Sequence, residues 1–387
     1  MVTPQNKIVV CFVGGSSAMT HLVAAKPFSS SPAFERYNRL TMPPGALHRL
    51  FEPALRILAQ QDHTAGTPFS IAFASAVFAG DHGVAHNHPV SAFPQVVTGQ
   101  MVANFVAGGA AMSVLSRQRA AQLCVVDVGV GRAFPYPVPA SPAAGVTFLA
   151  RNVPQSLPSE DYNYGTTDFT KQCAMSQKAF DTAFDAGIEA IDTLERKGPF
   201  HAVMLGEMGI GNTTAATAVI AHTLGRNPRE ITGAGTGITD NSRNAKAEVI
   251  AEAIERHRRE LGLNADNPVN IIRSLGGFEL AAIAGAAHRA AEKRVHVLLD
   301  GVIATASLLP FLRANPDLAS WVIPCHVGAE PAHRAALQSL DARPLLELDL
   351  RLGEGSGAAL AAALITDAVA MLNEMATFES ASVTDSK

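Results

Sequence analysis

Two glutamates in this chain stand inside glycine-rich turns that follow apolar runs: Glu207 in GEMGIGNTT (206–214) and Glu354 in RLGEGSGAAL (351–360). A carboxylate in such a turn has no flanking side chains to pack against, and glycine lets a ligand approach the backbone closely. Two turns of this kind in one chain point to acid/base chemistry on a small molecule. The first turn also has the spacing of the phosphate loop G-x-x-x-x-G-K-[ST], but Asn212 occupies the lysine position. In that motif the lysine and a magnesium-bound Ser/Thr serve a polyphosphate. Asn212 and the nearby Glu207 serve one poorly. Loop amides at Gly209 and Gly211, with the hydroxyls of Thr213 and Thr214, suit a single phosphate monoester at a helix N-terminus.

Other stretches carry weaker signals. VFAGDHGVAHNHPVSAFPQVVTGQ (77–100) gathers Asp81, His82, His86 and His88 and invites a zinc reading. HExxH is absent and the spacing matches no familiar ligand set, so these histidines read as satisfied or solvated loop residues, with no metal expected. GAGTGITD (233–240) fails the dinucleotide pattern because Ile238 takes the third glycine position, and it follows no clear strand. Lys246, just downstream, is available to a ligand phosphate or carboxylate.

The bulk properties narrow the class. Among 387 residues, 48% are hydrophobic and 17% charged, which calls for a thick core and suits an additional buried interface. A net charge of −4 without a Lys/Arg run gives no footprint for nucleic acid. Cys11, Cys124, Cys173 and Cys325 are scattered and form no C-x-x-C, as expected of reduced thiols in the cytoplasm. No run of 18 apolar residues is present, so no membrane span is expected. The apolar stretch Ile8 to Val13 is short for a signal peptide and reads as an irregular or strand-like extension.

The elements that must position the turns alternate along the chain. Leu47, Leu50, Phe51, Leu55 and Leu58 recur at helical spacing within 42–61, after two prolines. FSIAFASAVFAG (69–80) reads as a strand, 100–118 as one amphipathic helix, and QLCVVDVGVG (122–131) as a second strand. Positions 133–170 form a long Pro/Gly-rich excursion. Beyond it come a helix, the strand HAVMLGE, the opening turn and the helix TAATAVIAHTLG. The strands RVHVLLDG (294–301), SWVIPCH (320–326) and LELDLRLGEG (346–355) follow, and the last feeds a helix of small residues. Near-continuous apolar strands alternating with helices predict an α/β fold with a mostly parallel sheet covered on both faces. Ligands then bind beyond the carboxyl ends of the strands, where the glycine turns lie.

Taken together and in order, PPGALHRL, FAGDHGVA, VSAFPQVVTGQM, NFVAGGAA, GEMGIGNTTAA, GTGI, LGGFELAAIAGA, LDGVIATA, HVGAEPAHR and LRLGEGSGAALA resemble the nicotinate-nucleotide–dimethylbenzimidazole phosphoribosyltransferases, from about residue 42 to the tail. The resemblance implies a homodimer with a Rossmann-like domain and a smaller helical domain. It divides the chain into an extension at 1–33, part of the helical domain at 34–68, the large domain at 69–370 and a C-terminal segment at 371–387. It implies transfer of phosphoribose from nicotinate mononucleotide to 5,6-dimethylbenzimidazole in cobalamin nucleotide-loop synthesis, with no cofactor, metal, nucleic acid or membrane. Glu354 falls at the family's general base and Glu207 at its second carboxylate. Gly209 to Thr214 fall on its phosphate loop, and Lys246 on a lysine near the nucleotide. Gly353 and Gly355 flank the base, and Ser91 and Gln100 match part of the base pocket more loosely.

The chain departs from the family pattern at His48, usually glycine, at Ala234, often arginine, and at Gly328, usually serine. These departures bear on which base is accepted. Adenine, another benzimidazole or a phenol are the alternatives within the family, and a non-catalytic nucleotide sensor is the alternative outside it. Retention of Glu354 speaks against the sensor.

Overall fold

The computed structural model describes residues 22–384 apart from 134, 152, 154–162, 164, 234 and 236–239. The expectation for Ile8 to Val13 and the departure at Ala234 lie outside the described residues. Apolar runs closed by glycine or a polar residue form six parallel strands: β1 (Phe73–Gly80), β2 (Gln122–Gly129), β3 (Val146–Ala150), β4 (Ala202–Met208), β5 (His296–Leu299) and β6 (Val322–Pro324). Their order, β3-β2-β1-β4-β5-β6, reverses direction between β1 and β4. The loops leaving these two strands diverge, which opens a crevice beyond their carboxyl ends.

The helices preceding the third strand are α1 (Pro32–Tyr37), α2 (His48–Leu58), α3 (Val84–Asn87), α4 (Val96–Val106) and α5 (Ala111–Gln118). Next come α6 (Gln177–Glu195), α7 (Asn212–Leu224), α8 (Pro228–Ile231), α9 (Asp240–Leu261), α10 (Pro268–Leu275) and α11 (Phe278–Glu292). The last are α12 (Val302–Ala314), α13 (Pro316–Ala319), α14 (Pro331–Ser339) and α15 (Ser356–Glu374). Strand side chains alternate between two cores, as the pleat requires. Ala76, Phe78, Val126, Val203, Leu205 and Val297 pack with α6, α7, α10, α11 and α12 on one face. Val77, Leu123, Val125, Met204 and Leu298 pack with α2, α4, α5 and α15 on the other. The predicted parallel sheet covered on both faces is therefore present. By length and composition α15 could cross a membrane, but its face bearing Ala358, Ala361, Ala362, Ile365 and Leu372 lies inside the second core.

Four sequence expectations need correction. The single helix over 100–118 is two, because Gly108 has φ +84° and the chain turns there before α5 begins. The strand expected at 320–326 splits: β6 ends at Pro324, and β7 (His326–Gly328) leaves the main sheet. The strand expected at 346–355 is β8 (Leu346–Leu350), which pairs in parallel with β7 in a separate two-stranded sheet. The excursion at 133–170 contributes β3, whose partly buried residues lack the continuous apolar signature of an inner strand because it lies at the sheet edge.

Candidate active site

Glu207 is the penultimate residue of β4, opposite Phe78 of β1, and is buried at 6% exposure. It accepts hydrogen bonds from the side-chain amide of Asn212 and from the backbone N–H of Glu354. Burial, and then the charges of Asp300 and Glu279, push its carboxyl up to about 8, against the pull of the Glu354 amide. The loop then turns through Gly211 at φ +99°, the cap of α7. Asn212 thus begins a helix and faces a carboxylate, which a lysine there would have met as a salt bridge.

Glu354 sits in the turn between β8 and α15 with φ +65°, between Gly353 at +81° and Gly355 at +92°. A left-handed glutamate is strained and persists where its surroundings hold it. Three contacts do so. Asp300, after β5, accepts from the N–H groups of Gly355 (3.1 Å) and Ala358 (3.0 Å). The turn lies directly on β4 at Gly206, where a Cβ would collide with the Glu354 carbonyl oxygen. The Glu354 carboxylate accepts from Met112 N–H at 3.2 Å and from Ala111 N–H, the first turn of α5. Burial raises the Glu354 carboxyl, and the two amides and the helix N-terminus oppose that rise.

Lys246 on α9 is fully buried, and its Nζ donates to Thr213 Oγ1 at 2.8 Å. Burial lowers it to about 8, with Glu330 pulling the other way. Glu330 Oε1 accepts from Gly235 N–H at 2.8 Å. An ammonium and a hydroxyl are thereby brought to the N-terminus of α7, where an anion is favoured by the helix amides.

These groups come together at one cleft of about 120 Å³. Of the residues singled out in the sequence, Glu207, Gly209, Asn212, Thr213, Gly353 and Glu354 line it. Lys246 reaches it through Thr213, and Gly211 and Gly355 shape the turns behind it. Thr214 is fully buried with an unpartnered hydroxyl. Ser91 and Gln100 are outside the lining: Ser91 Oγ accepts from Phe93 N–H, and Gln100 is exposed on α4. The helix that carries Gln100, α4, meets the loop instead through Thr98, whose hydroxyl accepts from Ile210 N–H and donates to Asp81. Gly328 lines the cleft, whereas His48 is exposed on the surface.

The histidines after β1 go to separate partners. His82 Nε2 lies 2.7 Å from Glu279 Oε1, both buried, and His88 Nε2 lies 3.1 Å from Asp168 Oδ2. Among the described residues no group of three His, Cys, Asp or Glu side chains converges as metal ligands would. Sequence reasoning missed Asp300, His326 and His333. Asp300 follows its apolar strand directly, as Asp81 follows β1, and that repeated strand-end position was the available signal. The two histidines lie in HVGAEPAHR, where the departure at Gly328 drew the notice.

Comparison with known proteins shows the family. A phosphoribosyltransferase family model matches residues 26–383. The nicotinate-nucleotide–dimethylbenzimidazole phosphoribosyltransferase of Bradyrhizobium diazoefficiens is 40% identical over 353 residues, covering 91% of this chain and 93% of that protein. The enzyme of the same name from Pseudomonas aeruginosa PAO1 is 41% identical over 361 residues, covering 93% and 96%. The crystal structure of CobT from Thermus thermophilus superposes with a TM-score of 0.76 at 36% identity, covering 91% of this chain and 98% of that one. The chain belongs to the nicotinate-nucleotide–dimethylbenzimidazole phosphoribosyltransferase family.

Proposed function

We propose that this enzyme transfers the 5-phosphoribosyl group of nicotinate mononucleotide to 5,6-dimethylbenzimidazole, giving nicotinate and α-ribazole 5′-phosphate, with Glu354 as general base. The observation that carries the reading is the convergence of two proton-binding carboxylates with an amide-rich helix N-terminus in one cleft. The phosphate monoester sits at the start of α7, against Thr213, with Lys246 supplying charge through it. One ring nitrogen of the benzimidazole attacks C1′ while the C1′–pyridinium bond breaks, and its electron pair returns to the pyridine ring. Nicotinate leaves with a neutral ring, so the leaving group needs no acid. The proton on the other benzimidazole nitrogen passes to Glu354, whose proton affinity is raised toward that task by burial. Attack opposite the leaving group inverts β to α.

The reading extends to the assembly and its setting. The enzyme works as a homodimer in the cytoplasm. Exposed Leu348 and Leu352, at 58% and 59%, beside the cleft are consistent with a subunit contact, and buried Cys124 and Cys325 are free thiols. Incubation with nicotinate mononucleotide and a panel of dimethylbenzimidazole, adenine and phenol, followed by chromatography, tests the reaction. Nicotinate and α-ribazole phosphate in equal amounts are expected with dimethylbenzimidazole. Faster turnover of adenine or a phenol would reassign the acceptor, and no nicotinate release with any acceptor would remove the transferase reading. Light scattering at twice the chain mass is the corresponding test of the dimer.

A further inference from the structure

We infer that His326 is a positioning residue for the catalytic turn: acting through Asp300, it holds Glu354 where it meets the acceptor base. The inference rests on the reading of Glu354 as the base. Both oxygens of Asp300 are committed to the start of α15, one to Gly355 N–H and one to Ala358 N–H. His326 Nε2 lies 3.3 Å from Oδ1 of this carboxylate, and both side chains are buried. Within this inference the ring proton is assigned to Nε2, the nitrogen that faces the carboxylate. The ring is pressed against the first turn of α15, since a Cβ on Gly357 would collide with its Cδ2. Glycine at 357 is what admits the imidazole.

His333 fixes the other side of the ring. Its Nδ1 accepts from Gly328 N–H at 3.0 Å, and the two imidazole centroids are 5.4 Å apart at 71°, an edge-to-face arrangement. Burial brings His333 down to about 3, so it stays neutral and adds no charge beside His326. A continuous set of contacts thus runs from Gly328 through His333, His326 and Asp300 to the amides flanking Glu354. Without the Nε2–H donor, a buried carboxylate loses a partner and is free to turn away from those amides. The packing on Gly206 and the α5 amides still hold the left-handed glutamate, so the loss is one of precise placement and not of the turn itself.

The test compares His326→Met, which fills the space without a donor, with His326→Gln, whose amide nitrogen stands near the imidazole Nε2. Far-UV circular dichroism and calorimetric binding of nicotinate mononucleotide check that each variant is folded. His326→Met should lose roughly ten- to a hundredfold in kcat, the scale of a small misplacement of a reacting group, with KM for the mononucleotide changed by less than about threefold. His326→Gln should recover most of the rate. In a Glu354→Gln background, His326→Met should cause no further loss, because the group it positions is gone. If His326→Met fails to fold, His326→Asn replaces it, since its shorter side chain cannot reach Asp300; Asn impaired and Gln active gives the same support. Full kcat in the donor-less variant, equal impairment in the Gln variant, or a further loss in the double variant would overturn the inference. Glu354→Gln with normal turnover would remove the base and this inference together. An inactive Glu354→Gln beside a fully active His326→Met would remove the inference alone.

Discussion

Glu207 and Glu354 are both buried at 6% exposure in glycine turns of the same cleft, yet their surroundings differ. Glu207 lies at the carboxyl end of a central strand, faces the charges of Asp300, Glu279 and Glu354, and is pushed to about 8. Glu354 lies at the end of a peripheral two-stranded sheet, but its carboxylate reaches the first amides of α5. Those amides favour the charged form, while the field at Glu207 favours the neutral one. The surroundings of Glu207 thus favour its protonated form, whereas the α5 amides oppose the rise that burial imposes on Glu354. On the proposed reading, the strand-end turn before α7 binds and the turn before α15 reacts. Like-charged neighbours make such a division of roles necessary, because two adjacent buried carboxylates do not both ionise at low cost.

The largest expected break of this comparison is Glu354→Gln, which should lower kcat by roughly 10²–10⁴, the worth of a general base, with mononucleotide binding by calorimetry nearly unchanged. Next, Lys246→Met should act on the other turn. Loss of a charge-assisted hydrogen bond of about 1.5–3 kcal/mol should raise KM for the mononucleotide by roughly ten- to a hundredfold and leave kcat nearly intact. A kcat loss equal to that of Glu354→Gln would contradict the separation of binding from chemistry.

Glu207→Gln mimics the protonated acid, so kcat near neutrality should fall by less than about tenfold. Its clearer effect is on the pH profile. In the parent enzyme kcat should fall below the raised Glu354 value, as the base gains a proton, and fall again above about 8, as Glu207 loses one. The Gln variant should keep the acid limb and lose the alkaline one. The same proton affects stability. The folded state retains it up to about 8 while the unfolded chain releases it near 4.5, so stability contributed by Glu207 falls as pH rises through that window. Thermal melts of the Gln variant should show a shallower fall there.

The smallest effect expected is that of Ala111→Pro. Ala111 opens α5, and Ala110 before it is extended at φ −72° and ψ 159°, a conformation that accepts a following proline. The change deletes one amide that supports the Glu354 carboxylate, so the acid limb should move up by roughly half a pH unit to one unit, the scale of a lost hydrogen bond to a charged group. An unmoved limb would show that the α5 amides do not set the proton affinity of Glu354.

Much of the site was legible before any fold was drawn. Glu207, Asn212, Thr213 and Glu354 were marked by glycine spacing, because a turn without side chains has few other uses for a polar residue. Ser91 and Gln100 were placed by likeness of sequence, and their side chains stand outside the cleft lining because the chain meets the loop through Thr98 and Asp81 instead. Asp300 carried only its strand-end position as a local signal, and His326 and His333 carried none. Each looks ordinary in its own segment and gains meaning from groups that are remote in the sequence, as Asp300 does from the amides of Gly355 and Ala358.

Local sequence determined the strands of the main sheet other than the edge strand β3, their parallel arrangement and the glycine turns, since apolar runs and φ-permissive residues act over a few positions. It also specified the break at Gly108, although the helical periodicity across 100–118 concealed it. Only the tertiary structure decided that this break aims the amides of Ala111 and Met112 at Glu354, and that Gly206 lets the β8–α15 turn rest on β4. Proton affinity belongs to that second level, because burial, neighbouring charges and hydrogen-bond donors reach each carboxylate from segments that only the folded chain brings together.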